Sequence, residues 1–118
     1  MPTREQHITK ADGNAAFALS LPLENQSQID WALVALFYAA MHYVEAYLSP
    51  SVHLKSHETR DTYISRESHL RRIFKEYANL KFFGFNARYE VCGFKAKDVK
   101  DEAAKDYETI KTHIATKL

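Results

Sequence analysis

An all-α fold, an up-and-down antiparallel bundle of four to five helices, is what this sequence predicts, and three observations carry the prediction. Apolar residues recur at intervals of three and four over most of the chain, the spacing that keeps side chains on one face of a helix. Gly and Pro number three each in 118 residues, too few to punctuate many short strands. The 46% hydrophobic and 26% charged fractions are those of an ordinary globular domain. A chain of this length holds one core and not comfortably two, so residues 1–118 read as a single domain.

Five segments follow in order. The first spans roughly Glu5 to Leu19, with Ile8, Ala11, Ala15 and Leu19 on one stripe, weakened at Gly13 and stopped by Pro22. The second has the strongest pattern: Val34, Phe37, Met41, Val44 and Leu48 share a face, Ser27 can cap it and Pro50 closes it. Ala32, Ala35, Ala39, Ala40 and Ala46 lie between them, so neighbouring helices can approach closely and this helix should be central. Ser56 is placed to cap a third segment carrying His57, Arg60, Tyr63 and Ile64, with a break near Ser65 to Ser68. The fourth bears Leu70, Ile73, Phe74, Tyr77 and Leu80 and is expected to run out around Phe82, Phe83 and Phe85, where Gly84 frees the backbone. The fifth, roughly Asp98 to Thr116, shows a single stripe of Val99, Ala103, Tyr107, Ile110 and Ile114.

Bulk properties narrow the function. A formal charge of +1 gives no global field for nucleic acid or membrane. Cys92 is the only cysteine, which excludes an internal disulfide and a cysteine-based zinc site and fits a reducing, cytoplasmic setting. The N-terminal residues lack the apolar run of a secretory signal. The apolar stretch Trp31 to Tyr43 falls short of the ~20 residues that span a bilayer, so no membrane association is expected.

Polar residues beside the core helix mark the candidate site. Tyr38, His42 and Glu45 share a face at spacings of four and three. They form either a pocket in which Glu45 sets the charge of His42, or an interhelical network that satisfies semi-buried polar groups. His57 and Arg60 share a face of the third segment. Arg60 offers a fork matched to phosphate, with His57 as second donor or general base; alternatively Arg60 pairs internally with Glu45 or Glu90. His53 and His57 are four apart, a spacing zinc uses, but no third ligand is near and no metal or cofactor is expected. Residues 52–72 hold five Lys/Arg, three acids and three histidines, a mildly basic zone that reads more simply as a solvated face than as an RNA contact. Phe82, Phe83, Phe85 and Tyr89 are placed either to stack on a base or, more commonly for such clusters, to pack a core or dimer interface.

The helix DWALVALFYAAMHYVEAYL, the element SHETRDTYI and the closing FNARYEV together resemble the HEPN class of small helical domains. More closely, the chain resembles one prokaryotic branch of that class with a Trp-x5-Phe-Tyr-x3-His helix, a Ser-His-x2-Arg element and a closing Ala-Arg-Tyr, the resemblance covering about Ala15 to the C-terminus. The resemblance implies a homodimer and either a metal-independent ribonuclease or a non-catalytic RNA- or nucleotide-binding module. It implies a setting such as phage defence or a toxin–antitoxin system, with a partner protein encoded nearby. The nuclease pattern needs a histidine shortly after an Arg-polar pair. Arg60-Asp61 supplies the pair, but His69 follows only after eight intervening residues. The resemblance therefore implies a binding module lined by Arg60, His57, His42, Arg88 and Tyr38, with Arg60 and Arg88 as phosphate contacts. The alternatives are an endoribonuclease using Arg60 with His57 or His42, and a structural protein whose polar cluster only organises the bundle.

Overall fold

Thr3 opens the first helix with a reciprocal cap: its hydroxyl accepts from the Gln6 N–H at 3.1 Å while Gln6 Oε1 accepts from the Thr3 N–H at 2.8 Å. Such a cap satisfies donors that a helix start leaves free and contributes about 1 kcal/mol. In the computed structural model, which describes residues 2–118, α1 then spans Arg4–Ser20. Its buried face is His7, Ala11, Ala15 and Ala18. Ala11 and Ala15 of the expected stripe are buried there, Ile8 is half-buried, and Leu19 is 61% exposed. Alanines at the contact let α1 lie closer to its neighbour than Ile8 and Leu19 would allow.

That neighbour is α2, Gln26–Leu48, capped by Asn25 rather than Ser27 through a 2.9 Å bond from the Gln28 N–H to Asn25 Oδ1. Arg4 reaches the carbonyls of Ala46 and Ser49, and His7 meets His42, so the two helices run antiparallel. Val34, Phe37, Val44 and Leu48 are buried as the periodicity predicts, whereas Met41 is only half-buried. Leu33, Leu36 and Ala39 are buried as well, so α2 is enclosed on most of its circumference. At 23 residues it is long and apolar enough to cross a membrane, but 72% of its apolar window is buried inside the bundle, as in a core helix.

Ser56 caps α3, His57–Arg66, through a 3.0 Å bond from the Thr59 N–H, and the helix breaks at Glu67 as expected. A 3-10 turn, Leu70–Ile73, leads into α4, Phe74–Tyr89. This helix does not run out at the phenylalanines. Gly84 lies inside it, and its role is close approach: a Cβ there would sit 2.8 Å from Phe37 Cβ. Phe83 is nearly buried and packs on Phe94, while Phe82 and Tyr89 are 59% and 66% exposed. A wide π-type turn, Asp98–Ala103, opens α5, Ala104–Ala115, and the predicted stripe from Val99 to Ile114 is buried throughout. His69 and His113 clamp the 3-10 turn to the end of α5: each ring Nε2 donates to the other residue's carbonyl, at 3.1 and 2.7 Å. Among the described residues there is no strand.

Two glycines give opposite expectations. Gly84→Ala pushes a methyl against Phe37 Cβ, an atom that cannot rotate away, and should lower unfolding free energy in urea by about 1–3 kcal/mol despite the better helix propensity of alanine. Gly13→Ala, on the exposed side of α1 with nothing within 4 Å of the new methyl, should raise it by about 0.5–1 kcal/mol.

Candidate functional site

Glu45 lies on the buried side of α2 with 3% of its surface exposed, and a carboxylate so placed requires a partner. Arg60 of α3 supplies it, with Nε donating to Glu45 Oε1 at 2.8 Å. The rest of the guanidinium is also engaged. Nη2 donates to the Leu54 carbonyl at 3.1 Å, and Nη1 lies 3.2 Å from His57 Nδ1. A guanidinium has no acceptor, so His57 Nδ1 accepts and its proton resides on Nε2. Burial and the neighbouring Arg60 charge hold the His57 pKa below its usual value. The second carboxylate oxygen of Glu45 faces His53 Nδ1 at 3.9 Å. Arg60 is itself only 6% exposed, so its internal pairing with Glu45, the alternative offered by the sequence, is the one present.

His42 belongs elsewhere. One helical turn before Glu45, it faces α1, where its Nδ1 lies 3.1 Å from Nδ1 of His7. Two neutral imidazoles meet this way only if one carries a proton at Nδ1 and the other does not. Burial, followed by the charges of His7, Lys10 and Arg60, pushes the His42 pKa down to about 4. His7 is also lowered, chiefly by burial.

The outer edge of His42 lines a groove of about 330 Å³ bounded by α1, α2 and the end of α4. Phe17 and Trp31 stand in its walls, 52% and 53% exposed. Lys10, Tyr38 and Arg88 line it as well, with Asn14, Val34 and Ala35 between them, and Arg88 Nη1 donates to the Tyr38 hydroxyl at 2.8 Å. Two cations and no carboxylate line this groove. A larger hollow of about 560 Å³ lies along α3, but it is drawn from that one stretch of chain and mixes Glu58 and Glu67 with Arg66. The combination of aromatic faces and unopposed cations occurs in the first groove.

The sequence-predicted residues thus separate into a core network, in which buried Glu45 and Arg60 meet half-buried His57, and a groove set, Tyr38, His42 and Arg88. Trp31, Tyr38 and His42 of the Trp-x5-Phe-Tyr-x3-His pattern share the groove, whereas Phe37 faces the core. Sequence reasoning missed His7, Lys10 and Phe17. His7 belongs to the alanine face itself, and the signal for the others was the run of Lys10, Asn14 and Phe17 beside that face at spacings of four and three. The His53–His57 spacing is not used as a pair, since His53 turns to Glu45 and His57 to Arg60. Among the described residues, no group of three or more His, Cys, Asp or Glu is arranged to hold a metal ion.

Arg60→Met leaves Glu45 buried without its counter-ion and should cost about 3–5 kcal/mol in urea denaturation, while adding Glu45→Leu should recover part of that loss. The His42 pKa generates a pH dependence. Between pH 6.5 and about 4 the unfolded chain binds the proton and the folded chain does not, so stability should fall as pH drops through that window. His42→Gln should flatten this slope in denaturation curves measured across the same range.

No protein-family model matches this chain, and comparison with curated proteins and with solved structures finds no match.

Proposed function

We propose that this protein is a HEPN-like, non-catalytic RNA- or nucleotide-binding module whose ligand site is the groove between α1, α2 and the end of α4. The observation that carries the reading is the exposed Trp31 and Phe17 beside Lys10 and Arg88, with no acid in the lining. Aromatic faces hold bases by stacking without regard to sequence, and cations beside them hold the phosphates. Tyr38 orients Arg88 through its hydroxyl, which fixes the guanidinium at the groove edge and leaves its other donors free for a phosphate oxygen.

Catalysis fits the arrangement less well. Metal-independent cleavage needs a base and a phosphate-stabilising cation that both reach the substrate. Arg60 and His57 do meet, but the Arg60 donors are directed to Glu45, Leu54 and His57. In the groove, His42 is bonded to His7 and has a depressed affinity for protons.

Trp31 is the only tryptophan, so its fluorescence reports directly on the groove. A single-stranded oligouridylate of about six nucleotides should quench it, and Phe17→Ala should weaken binding by about 1–3 kcal/mol through loss of one stacking face. Arg88→Gln should reduce the slope of log affinity against log salt by about 0.7, the share of one phosphate contact on a single strand. Unchanged affinity and salt slope in both variants would exclude the groove as the binding site.

A further inference from the structure

We infer that an anionic ligand seated in this groove binds together with one proton, taken up by the His7–His42 pair. The inference rests on the reading of the groove as a ligand site and adds its regulation by pH. Its foundation is geometric. His42 lines the groove, but its Nδ1 is turned inward to His7, which is 6% exposed. The edge of the His42 ring left for the groove is therefore the one that carries Nε2.

The proton count follows from the shared hydrogen bond. In the neutral pair, one proton lies between the two Nδ1 atoms, 3.1 Å apart. If His42 donates it, His42 Nε2 is bare and can take a second proton while the Nδ1–H···Nδ1 bond to His7 stays intact. His42 then becomes an imidazolium with a donor toward the groove, and His7 remains a neutral acceptor. A further proton would have to go onto His7 Nδ1, which would break the bond and set two cations against each other. The pair accepts one proton without rearrangement, and no more.

The surrounding charges determine when it does so. From α1, Lys10 lies close enough to oppose the proton on His42, and from α3 so does Arg60. Glu45 of α2 favours a proton on His7 but is already paired with Arg60, while His53 of the α2–α3 connection opposes it. Arg88 of α4 adds a second groove cation at Tyr38. An anion bound among Lys10, Arg88 and His42 offsets these cations and makes the imidazolium favourable. By linkage, whatever makes a ligand favour the proton makes the proton favour the ligand to the same degree. A neutral ligand has no such coupling.

Trp31 fluorescence titrations with uridylyl-uridine and with uridine test this, because the phosphodiester of the first does not titrate in the range used and the second carries no charge. Between about pH 7 and pH 5, dinucleotide affinity should rise as pH falls, by at most about tenfold per pH unit for one proton, whereas uridine affinity should stay level. His42→Gln should remove the pH dependence, with circular dichroism confirming the fold. His7→Asn, which removes the inward partner and keeps the groove lining, should also change it. A dinucleotide affinity independent of pH, or a dependence that survives in both variants, overturns the inference and leaves the groove reading intact. Absence of binding by either ligand at every pH overturns both.

Discussion

Burial of a carboxylate, Glu45, in the central helix governs how the third helix and its connection are placed. Glu45 cannot be desolvated alone, so α3 must bring Arg60 to it. The requirement fixes more than one contact. Only Arg60 and Ile64 of α3 are buried, so this short helix is docked largely by an ion pair and one isoleucine. The same guanidinium holds the Leu54 carbonyl and His57, which ties down the connection between α2 and α3. An interior ion pair contributes little net stability against an apolar replacement, but it is unforgiving of the loss of one partner. Its function here is to set the position of α3 on α2.

That constraint also determines where chemistry is available. With Arg60 committed inside, the cations of the groove are Lys10 and Arg88, beside Phe17, Trp31 and Tyr38. The histidines divide in the same way. His57 is directed to Arg60, His69 and His113 clamp two chain segments, and His42 alone lines the groove, with His7 behind it. One helix therefore presents two polar edges. Glu45 faces inward to a structural network, and Trp31, Tyr38 and His42 face outward to a surface that can hold a ligand.

Much of the fold was legible in the sequence because long helices declare themselves by period. The α5 stripe, the Ser56 cap and the centrality of α2 all follow from spacing and capping chemistry. What misled was rotation and extent. On α1, Ala11 and Ala15 are buried as expected, but His7 and Ala18 take the places of Ile8 and Leu19, because close helix approach selects small side chains that a hydrophobicity pattern undervalues. On α4, Gly84 looked like a terminus and is a contact point for Phe37. Of the residues singled out from the sequence, Tyr38, His42 and Arg88 line the groove while His57 and Arg60 join Glu45, a grouping that spacing alone does not give. The spacing of Tyr38, His42 and Glu45 gives one helix face, and only tertiary packing separates its inward end from its outward one.

On the proposed reading, ligand binding belongs to the groove and not to the arginine of the core. Amide and indole chemical-shift mapping by NMR during titration with oligouridylate tests it most directly. Saturable shifts are expected at the Trp31 indole, Tyr38, His42 and Arg88, with His57 and Arg60 unmoved. Shifts centred on His57 and Arg60, with the Trp31 indole unchanged, would contradict it.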